Sequence, residues 1–203
     1  MKTRILLLFF LCQKVAFSQG IKEVKTWGGS SSEFINCVEV DAFGNIYVAG
    51  NFDGEFELGS SKITSKDGAD GFIARLNSDF SVMWKVHLSN ADTVLVNALD
   101  FDKSGNIYVG GVYQSAFDVN HTNGKSTLKN TNNNSVFDGF ALKLDSLGKL
   151  QGSYIINEST GNELHDIVVT QNDYVIVAGQ IAGNKSKPDG LLVGTSLNGK
   201  TTW

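Results

Sequence analysis

Two aspartates in near-identical turns could either bind a metal ion or cap the turn. Asp41 begins Asp-Ala-Phe-Gly-Asn, and Asp102, 61 residues later, begins Asp-Lys-Ser-Gly-Asn. A calcium loop carries alternating acids, because the ion takes six to eight oxygen ligands. Each turn here offers one carboxylate, so we predict that it caps backbone N–H groups of the turn and binds no metal.

A second set of aspartates recurs at the start of apolar runs. The runs are Asp70-Gly-Phe-Ile-Ala-Arg-Leu, Asp138-Gly-Phe-Ala-Leu-Lys-Leu and Asp189-Gly-Leu-Leu-Val-Gly-Thr. A catalytic residue need occur only once, whereas a structural position recurs in every repeat. We therefore interpret these aspartates as structural.

The three histidines, His87, His121 and His165, occupy different places in the repeats and predict no metal site. His165 precedes Asp166, and adjacent side chains in a strand point to opposite faces, which argues against a catalytic pair. The sequence also lacks a Gly-x-Ser-x-Gly element, a phosphate loop, a dinucleotide fingerprint and a CxxC pair. We predict no catalytic, metal-binding or cofactor-binding residue and no cofactor.

The repeated turns run into strand-forming residues, Ile46-Tyr-Val-Ala-Gly50 and Ile107-Tyr-Val-Gly-Gly111. A weaker third copy is Val175-Ile-Val-Ala-Gly179, preceded by Thr170 where the other copies have aspartate. β-Branched and aromatic residues favour strands, and a Gly-Asn turn between two strands predicts a hairpin. The turns therefore indicate one hairpin in each unit.

Each unit contains the pattern of four strands. Trp27, Trp84, Gly152 and Trp203 open successive units, and each aspartate of the second set lies 14 residues before the next opening position. This spacing divides the chain into units near 27–83, 84–151 and 152–202.

One segment of the unit varies in length. Asn120 to Ser135 is its longest version, and because it is polar we expect a surface excursion that can be shortened without loss of the fold. Part of the segment, beginning at Phe56 and at Phe117, is expected to form an extra edge strand.

The period and the strand pattern favour an all-β fold: a partial β-propeller of about three four-stranded antiparallel blades. The Ile-Tyr-Val strands are apolar at successive positions, as expected for sheets that are covered on both faces. A sandwich would not repeat its strands so closely, and the rungs of a parallel β-helix are much shorter.

The motifs Trp27-Gly-Gly, Asp41-x-x-Gly-Asn-Ile-Tyr-Val-x-Gly50, Phe56-Glu-Leu-Gly59 and Asp70-Gly-Phe-Ile-Ala-Arg-Leu resemble the bacterial seven-bladed β-propeller repeat (SBBP). The resemblance covers residues 27–203 and is weakest in the third unit. It implies a secreted or surface-exposed protein.

Residues 1–18 have the pattern of a signal peptide: a basic start, an apolar run and small residues before the cleavage point. We expect the mature chain, residues 19–203, to be secreted or displayed at the cell surface. It has 14 basic against 21 acidic side chains, a formal charge of −7, and no basic cluster, so no nucleic-acid partner is predicted. No segment approaches the roughly 18 to 20 apolar residues of a transmembrane helix.

Two functions are compatible with this pattern. The first is a binding or scaffolding module that presents variable loops to a protein or glycan partner. The alternative is the N-terminal fragment of a secreted propeller hydrolase whose catalytic residues lie outside this chain. Because propellers typically close with about four to eight blades, we expect the remaining blades in a longer chain and expect these three alone to associate.

Overall fold

The computed structural model describes residues 23–89, 91–129, 136–156, 161–172, 174–181 and 188–195. The predicted signal peptide and Trp203 lie outside these ranges. The described residues form 16 strands and no helix. The strands are β1 Gly28–Gly29, β2 Glu33–Val40, β3 Ile46–Phe52, β4 Glu55–Leu58, β5 Ser61–Thr64, β6 Asp70–Leu76, β7 Val82–Ser89, β8 Thr93–Phe101, β9 Ile107–Gln114, β10 Phe117–His121, β11 Gly124–Leu128, β12 Asp138–Leu144, β13 Leu150–Ile156, β14 Asn162–Val169, β15 Val175–Ile181 and β16 Asp189–Thr195.

The strands pair antiparallel in four sheets. The first sheet has the order β11-β10-β7-β6-β3-β2, the second β13-β12-β9-β8 and the third β14-β15-β16, while β1-β4-β5 form a small edge sheet. The predicted all-β antiparallel fold is thus confirmed. The sheets that the structure describes have six, four, three and three strands, so the finer prediction of three four-stranded blades stays a prediction.

The difference comes from the variable segment, which forms a hairpin in the first two units. The β10–β11 hairpin of the second unit pairs with β7 and so extends the first sheet, while β4 of the first unit pairs with β1. Residues 120–128 of the predicted polar excursion belong to this hairpin, and Leu128 is buried in the core, so we expect this part of the segment to contribute to stability. Residues 130–135 lie outside the described ranges.

In each of the three large sheets, the first three strands in chain order have the same register. The strand that follows the repeated turn pairs Gly50 with Ile35, Gly111 with Val96 and Gly179 with Leu164. A register shift follows directly on the partner strand in all three units, which leaves Asn36, Asn97 and His165 as the extra residue of a bulge.

This bulge explains the glycine that ends each repeated motif. A Cβ atom at Gly50 would lie 1.9 Å from the carbonyl oxygen of Phe34, and one at Gly111 would lie 2.0 Å from that of Leu95. The bulge brings a backbone carbonyl against the glycine Cα, so no larger residue has room.

The sheets pack face to face in chain order. Strand β8 lies against β2, β3 and β6 of the first sheet, and β14 lies against β8, β9 and β12 of the second. The bulged Asn36 donates a 2.8 Å hydrogen bond to the carbonyl of Val96, and Asn97 makes the same bond to Leu164. The first and second sheets therefore pack together in the same way as the second and third.

Aromatic side chains fill the space between the first two sheets. Tyr47 is buried, packs against Phe101 at a centroid distance of 4.8 Å and meets the edge of Trp84 at 6.0 Å. Trp84 also donates from Nε1 to the carbonyl of Ser146 across the sheets. These rings contribute to packing and do not form an open carbohydrate platform.

Candidate functional site

The repeated turns are closed by their own aspartates. One carboxylate oxygen of Asp41 accepts the backbone N–H groups of Phe43 and Asn45, and the other accepts the Asn45 amide and the Tyr47 hydroxyl. Partial burial raises the pKa of Asp41, but the hydrogen bonds from Asn45 and its neighbours outweigh this effect and lower it. The carboxylate acts as the predicted turn cap.

The second turn repeats this arrangement with an added cation. Asp102 accepts N–H groups of Ser104 and Asn106, and the Tyr108 hydroxyl donates to it at 3.2 Å. Lys143 lies 3.5 Å from the same carboxylate. Burial raises the pKa of Asp102, whereas the bonds from Asn106 and the charge of Lys143 lower it, with a net decrease.

The strongest candidate for a binding site is a polar cavity of about 240 Å³ at one end of the first sheet. We call it the Asp70 cavity. It lies where the β5–β6 loop, the end of β7 and the added strand β10 meet. Its lining residues are Thr64, Lys66, Asp67, Asp70, His87, Ser89, Ala91 and Asn120.

An aspartate and a histidine form the inner wall of this cavity. His87 Nε2 lies 2.7 Å from Asp70 Oδ2, and the two side chains are 16% and 3% exposed. The His87 ring packs on Phe52 at a centroid distance of 5.3 Å. Burial raises the pKa of Asp70, the contact with His87 opposes this, and the carboxylates of Asp67 and Asp53 add to the increase. The pair therefore presents an imidazole and a carboxylate, held 2.7 Å apart, to the cavity.

Strand β10 supplies the third polar group of the wall. Asn120 donates from Nδ2 to the Ser89 hydroxyl at 2.8 Å and to the backbone carbonyl of His87 at 3.1 Å. These bonds hold the end of β7 and fix the orientation of the amide. Lys66 and Asp67 are exposed at the mouth of the cavity, so the site offers donors and acceptors of both charge signs.

The equivalent position in the second sheet has different chemistry. Asp138 is also buried, but the register puts Ile155 where the first sheet has His87 and Tyr113 where it has Phe52. Burial and the nearby Asp138 raise the pKa of the Tyr113 phenol. In the third sheet Asp189 is exposed. The aspartate recurs, whereas its histidine partner occurs in the first sheet alone among the described residues.

The other two histidines contact different partners. His121 Nε2 lies 3.4 Å from the Ser126 hydroxyl, and His165 Nε2 lies 3.5 Å from Glu163 Oε2. Within the described ranges, no group of three His, Cys, Asp or Glu side chains is placed to hold a metal ion. The Asp70–His87 pair was missed from sequence, although the register of the β6–β7 hairpin would have placed these residues on adjacent strands.

A second cavity and the cysteine Cys37 are weaker candidates for a functional site than the Asp70 cavity. A larger cavity, about 480 Å³, lies between the N-terminal segment and the β6–β7 turn and is lined by Trp27, Phe80 and Val82 among others. Cys37 is unpaired and packs against the core between the first two sheets. Burial, aided by Glu39 and Asp166, raises the pKa of this thiol to about 11, so Cys37 resembles a small apolar side chain.

Comparison of the chain with protein-family models and with curated protein sequences gave no match. The resemblance to the SBBP repeat therefore rests on the motifs and not on a matched family. In the part of the chain that the structure describes, no helix is long and apolar enough to span a membrane.

Proposed function

We propose that this chain is a secreted or surface-exposed β-propeller module of the SBBP type that binds or scaffolds a protein or glycan partner. The supporting features are three successive sheets with one register and one relation between neighbours. Each sheet then corresponds to one blade. The propeller assignment and the export of the chain rest on the sequence motifs.

The observation that carries the binding proposal is the contrast between a repeated frame and a cavity that is seen once among the described residues. The turns, bulges and glycines recur, so their polar groups serve the fold. In the described part of the second sheet the Asp70–His87 pair is not reproduced, because Ile155 stands in the place of the imidazole. A ligand site requires polar side chains that the repeated fold does not itself use, and the side chains of the Asp70 cavity are of this kind.

The size and lining of the Asp70 cavity favour a small polar group. At about 240 Å³ it lies just below the roughly 300 to 1,000 Å³ of typical small-molecule pockets. Hydroxyl, amide, carboxylate and ammonium groups surround it, and each can bond a sugar hydroxyl or the polar side chain of a protein. We therefore infer that one saccharide unit or one polar side chain of the partner enters this cavity.

The test compares the binding of the wild-type chain with that of matched variants. It uses a glycan array and a panel of surface proteins from the host cell. We expect Asn120→Ala to weaken binding by about tenfold or more, because it removes a polar group and the brace of Ser89. Lys149→Ala, an exposed change in the turn of the second sheet, is the control. Equal binding by Asn120→Ala and wild type would exclude the Asp70 cavity, and a chain that binds nothing on either panel would contradict the proposed function.

The alternative function, an N-terminal fragment of a propeller hydrolase with catalytic residues outside this chain, stays a prediction. It is distinguished by assaying the 203-residue chain, and any longer protein found to contain it, for glycoside, ester and peptide hydrolysis. Turnover only by the longer protein would favour the hydrolase.

A further inference from the structure

The two ends of the described sheet array have complementary surfaces. In the first sheet, Ile35 and Val38 are 52% and 62% exposed on the face away from the second sheet. Register equates them with Val96 and Leu99 of the second sheet, which are 0% and 6% exposed because the first sheet covers them. Ile35 and Val38 are therefore equivalent to residues that are buried when another sheet packs on this face.

The opposite face, at the far end of the array, shows the corresponding partner surface. Ile73 of the first sheet and Ala141 of the second both face the next sheet and are buried there. Leu192 of the third sheet has the same register position and is 75% exposed. The third sheet thus presents the surface on which a following sheet packs.

The hydrogen bonds between sheets run from each sheet to the next one in chain order. The bulged residue of each sheet donates to the carbonyl just before the bulge of the next, from Asn36 to Val96 and from Asn97 to Leu164. In the third sheet His165 occupies the donor position, and its side chain is about half exposed. In the first sheet the acceptor position is the Ile35 carbonyl.

The strand edges are complementary too. The β10–β11 hairpin is joined to the first sheet through β7, and the β4–β5 hairpin pairs in the same way with the short strand β1. Strand β7 pairs on its other side with β6. Among the strands that the structure describes, none pairs with the second edge of β1, and none pairs with the edge of β16 that faces away from β15.

We propose that the first sheet of one copy docks on the third sheet of a second copy, in the relation that already joins neighbouring sheets within the chain. The docking places Ile35 and Val38 on Leu192, directs His165 at the Ile35 carbonyl, and adds β1 to β16 in the order β5-β4-β1-β16-β15-β14. This order matches β11-β10-β7-β6-β3-β2 of the first sheet. A contact between two different surfaces is heterologous, and it assembles copies head to tail.

For the 203-residue chain by itself the proposed occupant is a second copy, because the interface already exists twice inside the chain. A surface that fits the third sheet needs the apolar pair, the bulge carbonyl and the extra edge strand together, and the first sheet with the adjoining strand β1 carries all three. Open strand edges and contiguous exposed apolar residues also favour such association. The surface is separate from the Asp70 cavity, so the result of this test does not depend on the binding function.

The test uses sedimentation velocity on the full chain and two charged variants. Wild type is expected to assemble with rising concentration. Val38→Asp and Leu192→Asp each introduce a charge into one of the two surfaces and should weaken self-association by at least about tenfold. Both positions are exposed in one copy, so the fold of each variant is retained, and circular dichroism checks this. Leu147→Asp, 63% exposed in the β12–β13 turn, is the matched control and should assemble like wild type.

Mixing the two variants separates this docking from other kinds of association. Val38→Asp retains an intact third sheet and Leu192→Asp an intact first sheet, so the mixture should form a one-to-one heterodimer although neither variant assembles alone. A mixture that stays monomeric, a variant that assembles as well as wild type, or a wild-type chain that is monomeric at every concentration would each overturn the proposal.

Discussion

Replacing Gly111 by alanine tests the link between the bulge and the repeated glycine. The new Cβ atom would lie 2.0 Å from the Leu95 carbonyl oxygen and 2.8 Å from the Phe140 ring, where ordinary contacts are 3.4 to 4 Å. The overlap with backbone exceeds 1 Å, and a backbone oxygen cannot rotate away as a side chain can. Overpacking of a core costs about 1 to 3 kcal/mol, and we expect the upper end, about 3 kcal/mol, because two fixed groups are struck.

Urea unfolding followed by circular dichroism measures this loss from the transition midpoint and slope. At about 2 to 4 °C per kcal/mol for a chain of this size, the thermal midpoint should fall by about 6 to 12 °C. Gly190→Ala is the control, because a Cβ atom there meets nothing within 4 Å. If Gly111→Ala is as stable as Gly190→Ala, the bulge does not require the glycine and our account of the motif is refuted.

Three further predictions concern the turns, the added hairpin and export. Asp102→Asn should be less stable than wild type at neutral pH, and the difference should shrink as the pH falls below about 4, because a carboxylate with a lowered pKa stabilises the fold only while it is ionised; a difference in unfolding free energy that is constant from pH 7 to pH 3 would contradict this. Leu128→Ala should lower the free energy of unfolding by about 2 to 3 kcal/mol because Leu128 is buried, whereas a change below about 0.5 kcal/mol would restore the interpretation of a dispensable loop. Mass spectrometry of exported protein should find an N-terminus near Gln19, and an intact N-terminus at Met1 on such material would disprove the signal peptide.

The strands and turns could be predicted because their causes are local. The Asp41 turn combines a capping carboxylate, a glycine and an asparagine, and the Ile-Tyr-Val run that follows suits a strand covered on both faces. The structure confirms the cap and the strand. The bulge could have been predicted from Gly50, since a glycine repeated inside a strand often marks a close backbone approach.

The added hairpin and the Asp70 cavity could not be predicted, because they depend on contacts between units. Polar residues such as Asn120 suggested a surface loop, yet the hairpin is fixed by pairing with β7 at the edge of the first sheet. His87 had no recurring partner in sequence, and its pairing with Asp70 arises only when β6 and β7 are placed in register. The repeats therefore predicted the strands and turns that the units share, but not the Asp70 cavity, which distinguishes the first sheet.

The most direct measurement of the central claim is hydrogen–deuterium exchange of the full chain with and without its bound partner, once the binding panels have supplied one. Our account predicts added protection at the walls of the Asp70 cavity, in residues 64–70, 87–89 and 118–120. Residues 138–142, at the equivalent place in the second sheet, should be unchanged. Protection that is spread equally over the equivalent segments of both sheets, or is absent from the cavity walls, would show that the repeated frame and not this cavity binds the partner.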